Sequence, residues 1–235
     1  MASTHLRRRH DMPAGMTLPP ATSPAAFIRA NTRLQPLAFV PEIRLHLAGE
    51  AVPLWQATEA ELGRIQLPPP FWAFAWAGGQ ALARFVLDNA GEFAGRRVLD
   101  FASGSGLVAI AAAKAGAGVT AADIDPFAVA AIGLNATANA VEIAVEAADQ
   151  LDRPPMPGVD VVMVGDVFYE RDLAQRVLAL LDRYAAAGVR VLVGDPGRSY
   201  LPQARLTALA SYAVPVTREV EDHDVKQTSV FALTN

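Results

Sequence analysis

The feature that most constrains the fold is a regular alternation of apolar runs and helical segments, which begins at Arg96. Val161, Val162, Met163 and Val164 form an unbroken apolar run, the pattern of a strand that is covered on both faces. Similar runs precede three other helical segments: RRVLDF, GVTAAD and VRVLVGD. Because alternating strands and helices form parallel βαβ units, the sequence predicts an α/β fold built on a mostly parallel sheet.

Two further regions flank this alternation. Near the C-terminus, YAVPVTREV and KQTSVFALT alternate apolar and polar residues on either side of an acidic loop, which predicts an antiparallel hairpin. A short helix is predicted before it, over 201–210. Upstream we predict a helix over 24–33, a strand over 42–48, a helix at ATEAELGRI with Thr58 as its N-cap, and a helix at QALARFVLDNA.

This order of elements predicts one domain over 24–235, made of an N-terminal extension (24–95) and a Rossmann-like, doubly wound core (96–235). Residues 1–23 are basic and rich in proline, and they contain few apolar residues. We therefore expect them to form a disordered tail.

The composition argues against several classes of function. The formal charge of −4 and the pI of about 5.6 disfavour a nucleic-acid binder, which would show a basic surface. The chain has no cysteine, and its four histidines show no metal-ligand spacing, so no metal site is expected. No apolar run reaches the ~18 residues of a membrane span, so we expect no membrane partner. Arginine far outnumbers Lys114 and Lys226, and alanine is abundant, which indicates a bacterial gene.

A glycine-rich turn follows the first strand of the alternation. In LDFASGSGLVA, Gly104 and Gly106 lie between a strand and a helix, where glycine permits a tight turn and the close approach of a ligand. Asp123 ends the next strand and is placed to accept hydrogen bonds from a ribose. The alternative is that the glycines form only a tight turn between a strand and a helix, and that Asp123 binds no ligand. The combined spacing predicts a nucleotide site.

Two other carboxylates indicate which nucleotide fits. Asp100 precedes the glycines, where it would repel a pyrophosphate but suits an ammonium group such as that of S-adenosylmethionine. No segment after the sheet is long enough for the separate substrate domain of a dehydrogenase. Asp149 ends the third strand and is placed for the adenine amino group; the alternative is a carboxylate that belongs to the turn.

Polar and aromatic residues crowd the end of the 161–164 run. Asp166 follows it closely, and Phe168, Tyr169 and Glu170 come next. Since ligands of open α/β sheets bind outside the carboxyl ends of the strands, Asp166 is a candidate catalytic residue. In FWAFAW, Trp76 lies nearest the Gly-Gly turn and is the aromatic residue that we expect at the cofactor, because aromatic rings attract cations.

These motifs resemble the class I, seven-β-strand S-adenosylmethionine methyltransferases. The resemblance covers 71–235 and is carried by VLDFASGSG, AADIDP, the AAD that ends at Asp149 and the closing hairpin. It implies a seven-stranded sheet of strand order 3-2-1-4-5-7-6. It also implies cofactor contacts from Trp76, Asp100, Ser103, Gly104, Gly106, Asp123, Ile124 and Asp149. Ala102 departs from the family pattern, which has glycine at this position, and its methyl group is expected near the methionine moiety.

The segment DVFYE narrows the resemblance. Asp166-Val-Phe-Tyr169 is similar to the (D/E)-x-x-(Y/F) motif of the lysine-directed branch, and PPFWAFAWAGGQALARFVLDN is similar to the electron-transfer-flavoprotein β-subunit lysine methyltransferases. The resemblance implies that Asp166 and Tyr169 are catalytic and that this β subunit is the protein substrate. Phe168 and Glu170 are assigned to substrate binding; the alternatives are core packing for Phe168 and the first turn of the next helix for Glu170. We expect a cytoplasmic monomer.

Other functions are compatible with parts of this pattern. A nucleic-acid methyltransferase is disfavoured because DVFY lacks the prolines of the D/N-P-P-Y/F turn that is typical of base-amine methylation. A small-molecule N- or O-methyltransferase, a ribosomal-protein methyltransferase and a non-enzymatic nucleotide sensor would share the cofactor residues.

Overall fold

The computed structural model describes residues 23–48, 70–216 and 224–234. The predicted tail, except for Ser23, and the predicted helix capped by Thr58 lie outside these residues. Within the described ranges, no helix is long and apolar enough to cross a bilayer.

Seven strands form the main sheet. They are β3 (Arg97–Phe101), β4 (Gly118–Ala122), β5 (Ala144–Glu146), β6 (Val161–Gly165), β7 (Arg190–Asp195), β8 (Leu206–Pro215) and β9 (Val225–Leu233). Their spatial order is β5-β4-β3-β6-β7-β9-β8, and only β9 runs antiparallel to its neighbours, β7 and β8. Numbered within the sheet, this is 3-2-1-4-5-7-6, so the predicted fold class and closing hairpin are confirmed.

Helices cover both faces of this sheet. They are α1 (Pro24–Asn31), α2 (Ala77–Asp88), α3 (Leu107–Lys114), α4 (Pro126–Ala138) and α5 (Arg171–Ala186). In β6, Val161 and Met163 pack in the core beneath α2 and α3, whereas Val162 and Val164 pack in the core beneath α5. The continuous apolar run in the sequence arises because this strand is buried on both faces.

The start of α4 is fixed by capping residues that lie next to it in the sequence. The Asp125 Oδ1 accepts a hydrogen bond of 2.9 Å from the Phe127 N–H, and Pro126 occupies the first helical position. A side-chain acceptor satisfies a backbone donor that the helix itself leaves unpaired, and proline has no such donor to satisfy. The boundary between β4 and α4 was therefore predictable from three residues.

One predicted element is wrong, and one predicted helix is present but ends two residues early. The segment 201–210 is not a helix: a single 3-10 turn (Gln203–Arg205) leads into β8, which pairs with β9 along nearly its whole length. Backbone hydrogen bonds to a distant strand override the weak local helical preference. The first helix ends at Asn31 rather than at Arg33, because β1 (Arg33–Pro36) pairs with β2 (Arg44–Leu47) in a separate two-stranded sheet.

The N-terminal extension is tied to the glycine turn by one buried amide. The Asn135 Oδ1 accepts from the His46 N–H at 2.8 Å, and the Asn135 Nδ2 donates to the Ser105 carbonyl at 2.8 Å. Asn135 lies on α4 and is fully buried, so it links strand β2 of the extension to the turn after β3. The extension therefore contributes to holding this turn in place.

A backbone contact between glycines places the N-terminus of α2 on the sheet. A β-carbon at Gly78 would overlap the Gly194 carbonyl oxygen, and one at Gly194 would overlap the Gly78 carbonyl oxygen and lie 2.7 Å from the Leu82 Cγ. A β-carbon at Gly165, at the end of β6, would lie 3.1 Å from the Gly79 nitrogen, a tighter contact than is usual. Only residues without a side chain permit this approach, which brings α2 to the carboxyl ends of β6 and β7.

Ala102 carries backbone strain that explains why glycine suits this position. Its φ is 54°, in the left-handed region, which costs a residue with a β-carbon about 1 kcal/mol. We expect Ala102→Gly to raise the free energy of unfolding by about 1 kcal/mol in chemical denaturation. Ala140→Gly is the matched control, since Ala140 has the same φ of 54° but does not line the cavity described below. If only Ala140→Gly raised the stability, Ala102 would not have the strained positive φ in solution.

Candidate active site

A cavity of about 480 Å³ opens at the carboxyl ends of the central strands. Its walls come from the turn after β3, the residues that follow β4, β5 and β6, and the segment before α2. The predicted cofactor residues that line it are Trp76, Asp100, Ser103, Gly104, Asp123, Ile124 and Asp149. The structure thus brings together seven positions from four separate segments of the chain.

Two carboxylates organise the floor of the cavity. The Asp100 Oδ2 accepts hydrogen bonds from the Ser103 hydroxyl at 2.5 Å and from the Ala109 N–H at 3.0 Å. The Asp123 Oδ2 accepts from the Gly104 N–H at 2.8 Å, and its Oδ1 accepts from the Asp125 N–H at 3.0 Å. These bonds hold the turn open around the space between the two carboxylates. Each oxygen can accept further hydrogen bonds from a ligand.

Burial raises the pKa of these acids. Asp100 is 2% exposed, and desolvation raises its pKa to about 7, against the opposing effect of its hydrogen bonds. Desolvation also raises the pKa of Asp123, and it raises that of Asp125 to about 6. A buried carboxyl group with a raised pKa is stabilised in its ionised form by a cation that enters the site. The floor of the cavity therefore favours a positively charged ligand.

Asp149 and Ile124 line the outer part of the cavity. The Asp149 Oδ1 accepts from the Leu151 N–H at 2.9 Å, and its Oδ2 lies 3.7 Å from the Arg176 Nη2. Asp149 is thus a turn carboxylate that also faces the cavity, which is compatible with both interpretations of it. Ile124 is 69% exposed, an unusual exposure for a large apolar side chain, and it offers a flat apolar ligand a surface at the rim.

Gly106 has a different role from the one implied for it. It does not line the cavity, and its φ of 81° together with the proximity of Ile132 shows why a β-carbon would be strained there. Gly106 precedes α3 and allows the chain to enter that helix. Its contribution to the site is therefore the shape of the turn.

Asp166 lines the cavity beside Gly79 and Arg198. It is 9% exposed and has a φ of 56°, a conformation that aspartate tolerates better than most residues. Its Oδ2 accepts from the Gly79 N–H at 3.0 Å, in the first turn of α2. Its Oδ1 accepts from the Arg198 Nη2 at 2.8 Å. The carboxylate thus caps α2, the helix before the sheet, rather than α5, the helix that follows it.

Three aromatic rings surround this carboxylate end. The centroid of Phe71 lies 5.9 Å from that of Trp76 and 5.8 Å from that of Tyr169. The Trp76 Nε1 donates to the Phe71 carbonyl at 2.9 Å, which orients the indole. Tyr169 is 46% exposed and lines the cavity, as expected for a residue that meets a substrate. The rings form an apolar wall beside Asp166.

Two predicted substrate residues lie elsewhere. Phe168 is 1% exposed and packs in the core beneath α5, which corrects its assignment to substrate binding. Glu170 is exposed, occupies the N-cap position of α5 and does not line the cavity, so the helix-terminus alternative describes it better. The left-handed turn at Asp166 redirects the chain, so that Phe168 points into the core and Tyr169 lines the cavity.

Sequence reasoning missed Arg198. It lines the cavity, pairs with Asp166 and lies with its guanidinium carbon 5.6 Å from the centroid of the Trp76 ring. The available signal was its place in GDPGR, directly after β7, at the same edge of the sheet as Asp166. Among the residues that the structure describes, no cluster of acids and histidines is suited to a metal ion.

This geometry defines the class of the protein. A seven-stranded sheet closed by an antiparallel strand, with a glycine turn and acidic residues at the carboxyl ends of its strands, is the architecture of a class I S-adenosylmethionine-dependent methyltransferase. Magnesium protoporphyrin IX methyltransferase from Synechocystis PCC 6803, solved with bound S-adenosylmethionine, shares this fold with a TM-score of 0.50 at 17% identity, over 67% of this chain and 79% of that chain.

Sequence relatives identify the family. The electron transfer flavoprotein beta subunit lysine methyltransferase of Rattus norvegicus is 35% identical over 216 residues, which cover 88% of this chain and 82% of the rat protein. The Xenopus laevis protein of the same name is 36% identical and covers 90% of this chain and 87% of its own. Residues 80–184 also match the family described as ribosomal protein L11 methyltransferase (PrmA). The chain belongs to the electron transfer flavoprotein beta subunit lysine methyltransferase family.

Proposed function

We propose that this protein transfers a methyl group from S-adenosylmethionine to lysine side chains of the electron transfer flavoprotein β subunit. The observation that carries the proposal is the Asp166 end of the cavity, where a carboxylate meets an aromatic wall in a chain that is 35% identical to a relative named for this substrate. The wall suits the alkyl stem of lysine, and the carboxylate suits its amine.

The cofactor end of the cavity fits S-adenosylmethionine at three polar points. Asp100 would pair with its ammonium group, Asp123 would accept hydrogen bonds from its ribose hydroxyls, and Asp149 would accept from its adenine amino group. Ile124 would pack against the adenine, and Trp76 and Ser103, which line the cavity, would lie close to the methionine part. S-adenosylmethionine supplies a methyl group that is activated for transfer to a nucleophile.

At the acceptor end, the substrate lysine must lose its proton before it can attack. Its ordinary pKa of ~10.4 keeps it protonated near neutrality. Partial burial of the side chain against Phe71 and Tyr169 disfavours the charged form and lowers this pKa. Asp166 accepts one N–H of the neutral amine and directs its lone pair toward the methyl carbon. The lysine nitrogen forms the new bond as the methyl–sulfur bond breaks, and the bonding electron pair remains on sulfur.

The test is methylation of purified electron transfer flavoprotein with radiolabelled S-adenosylmethionine. We expect label on the β subunit, located to lysines by mass spectrometry of its peptides. Ribosomal protein L11 and the small-molecule fraction of a cell extract serve as parallel acceptors. Label confined to L11 or to the small-molecule fraction would overturn the proposal in favour of the corresponding alternative.

We further propose that the enzyme acts as a monomer in the cytoplasm of a bacterial cell. The abundance of alanine and the scarcity of lysine support a bacterial source. Sedimentation at micromolar concentration should give the mass of one chain.

Binding of the cofactor should release a proton near neutral pH. Without a ligand, the pKa of Asp100 is about 7, so this carboxyl is largely protonated at pH 6. An ammonium group beside it favours ionisation, so affinity should rise by up to ~5-fold from pH 6 to pH 7 and by up to ~10-fold from pH 6 to pH 8, where it levels off. Calorimetry in two buffers that differ in ionisation enthalpy measures the released proton. Asp100→Asn is the control and should abolish most of this pH dependence; an unchanged dependence would assign it to another group.

A further inference from the structure

The loop after β7 holds the backbone of Arg198 in one place. Asp195 is buried, and its Oδ1 accepts hydrogen bonds from the Gly197 N–H at 2.7 Å and from the Arg198 N–H at 2.6 Å. Gly197 has a φ of 89°, a conformation that glycine adopts without strain. The loop also donates from the Tyr200 N–H to the Phe168 carbonyl at 3.0 Å, which ties it to the segment after Asp166.

The side chain of Arg198 contacts both parts of the acceptor end. Its Nη2 lies 2.8 Å and its Nε 3.3 Å from the Asp166 Oδ1, so the guanidinium meets this oxygen through two of its nitrogens. Its guanidinium carbon lies 5.6 Å from the centroid of the Trp76 ring, within the range of a cation–π contact. The Asp166 Oδ2 accepts a hydrogen bond from the Gly79 N–H, so each of the two carboxylate oxygens is held by a different donor.

Charge gives Arg198 a second effect. A carboxylate that orients the substrate amine also attracts a proton to that amine, because a nearby negative charge stabilises the ammonium form. A guanidinium paired with the carboxylate offsets this charge and remains positive at all relevant pH values. With Arg198 beside it, Asp166 can accept a hydrogen bond from the amine and raises the pKa of that amine less than an unpaired carboxylate would.

We propose that Arg198 is a positioning residue for methyl transfer, which holds the Asp166 carboxylate and the Trp76 ring in the arrangement that receives the neutral amine of the substrate lysine. The inference rests on the proposed function, since it assigns Asp166 to the acceptor amine. The charged or titratable groups that face the cavity are Asp100, Asp123, Asp125 and Asp149 toward the cofactor end, and Asp166, Tyr169 and Arg198 toward the acceptor end. Arg198 is the cation among these described residues.

The experiment is single-turnover methyl transfer to electron transfer flavoprotein by the full-length enzyme, measured across pH. We expect Arg198→Ala to lower the saturating transfer rate about 10²-fold, while the KM for the protein substrate and the cofactor affinity change only a few-fold. The pH of half-maximal rate should move upward by about one unit, because the amine loses its compensating cation. Arg198→Lys should recover part of the rate, and added guanidinium should partly rescue Arg198→Ala.

Arg171→Ala is the matched control. The Arg171 guanidinium carbon lies 5.6 Å from the centroid of the Tyr200 ring on the same loop, but Arg171 does not line the cavity. It should leave the rate and the pH profile unchanged. A folded Arg198→Ala enzyme with a rate within ~3-fold of wild type, or one that loses cofactor binding without guanidinium rescue, would overturn the inference but not the proposed function. Absence of transfer by the wild-type enzyme would instead overturn the proposed function, and the inference with it.

Discussion

Replacement of Asp166 by asparagine is expected to lower the rate of methyl transfer by at least ~10²-fold, the usual scale for the loss of a positioned acid–base or orienting group. Asparagine has one oxygen and one NH₂ group where aspartate has two acceptor oxygens. One of the two donors that now hold the carboxylate, the Gly79 N–H and the Arg198 guanidinium, would face the NH₂ group instead. The substrate amine would meet a neutral side chain that has one acceptor oxygen in place of two and an NH₂ group that opposes its own N–H, and single-turnover transfer to the protein substrate measures the effect.

Binding and stability measurements separate catalysis from structure in this variant. Cofactor affinity should remain within a few-fold, whereas Asp123→Ala should weaken cofactor binding by ~1.5–3 kcal/mol, the scale of a hydrogen bond to a charged group. Because Asp166 caps α2, Asp166→Asn should also lower the free energy of unfolding by ~0.5–2 kcal/mol. Rates are therefore compared at a temperature where thermal melts show both enzymes folded. Near-normal transfer by the folded variant would show that the carboxylate only supports the helix.

Gly194→Ala should strongly destabilise the protein. The added β-carbon would overlap the Gly78 carbonyl oxygen and press on Leu82, both in α2. Relief requires the whole N-terminus of α2 to move away from β7, and overpacking of this kind costs about 3 kcal/mol. Chemical denaturation measures the loss. Transfer should fall as well, because the same movement draws the Gly79 N–H away from Asp166.

Gly133→Ala is the matched control for this effect. Gly133 lies within α4 and has no atom of a packed neighbour within 4 Å of the position of an added β-carbon. Alanine favours helix over glycine, so this variant should be more stable than wild type by about 0.5–1 kcal/mol. A Gly194→Ala protein as stable as Gly133→Ala would mean that α2 is not held against the sheet as the structure shows.

The amino-acid sequence by itself determined the local elements. The apolar run of β6, the Asp125 cap before α4 and the glycine turn after β3 each depend on residues close together in the chain. Alternation of such elements leads to parallel βαβ units, and the carboxyl ends of the strands then carry the ligand site. For this reason Asp100, Asp123 and Asp166 were predicted at one cavity without knowledge of their contacts.

Only the tertiary structure decided which residues complete that cavity. Arg198 meets Asp166, and Gly194 meets Gly78, through contacts between segments remote in the chain. The hydrophobic pattern of a segment does not predict such pairs, because it depends only on residues within that segment and not on the distant segment that packs against it. The same limit applies to β8, whose strand conformation comes from pairing with β9. The positive φ of Asp166 ends the strand pattern in which successive side chains point to opposite faces of the sheet. The directions of the side chains that follow therefore depend on how this turn packs and not on their spacing in the sequence.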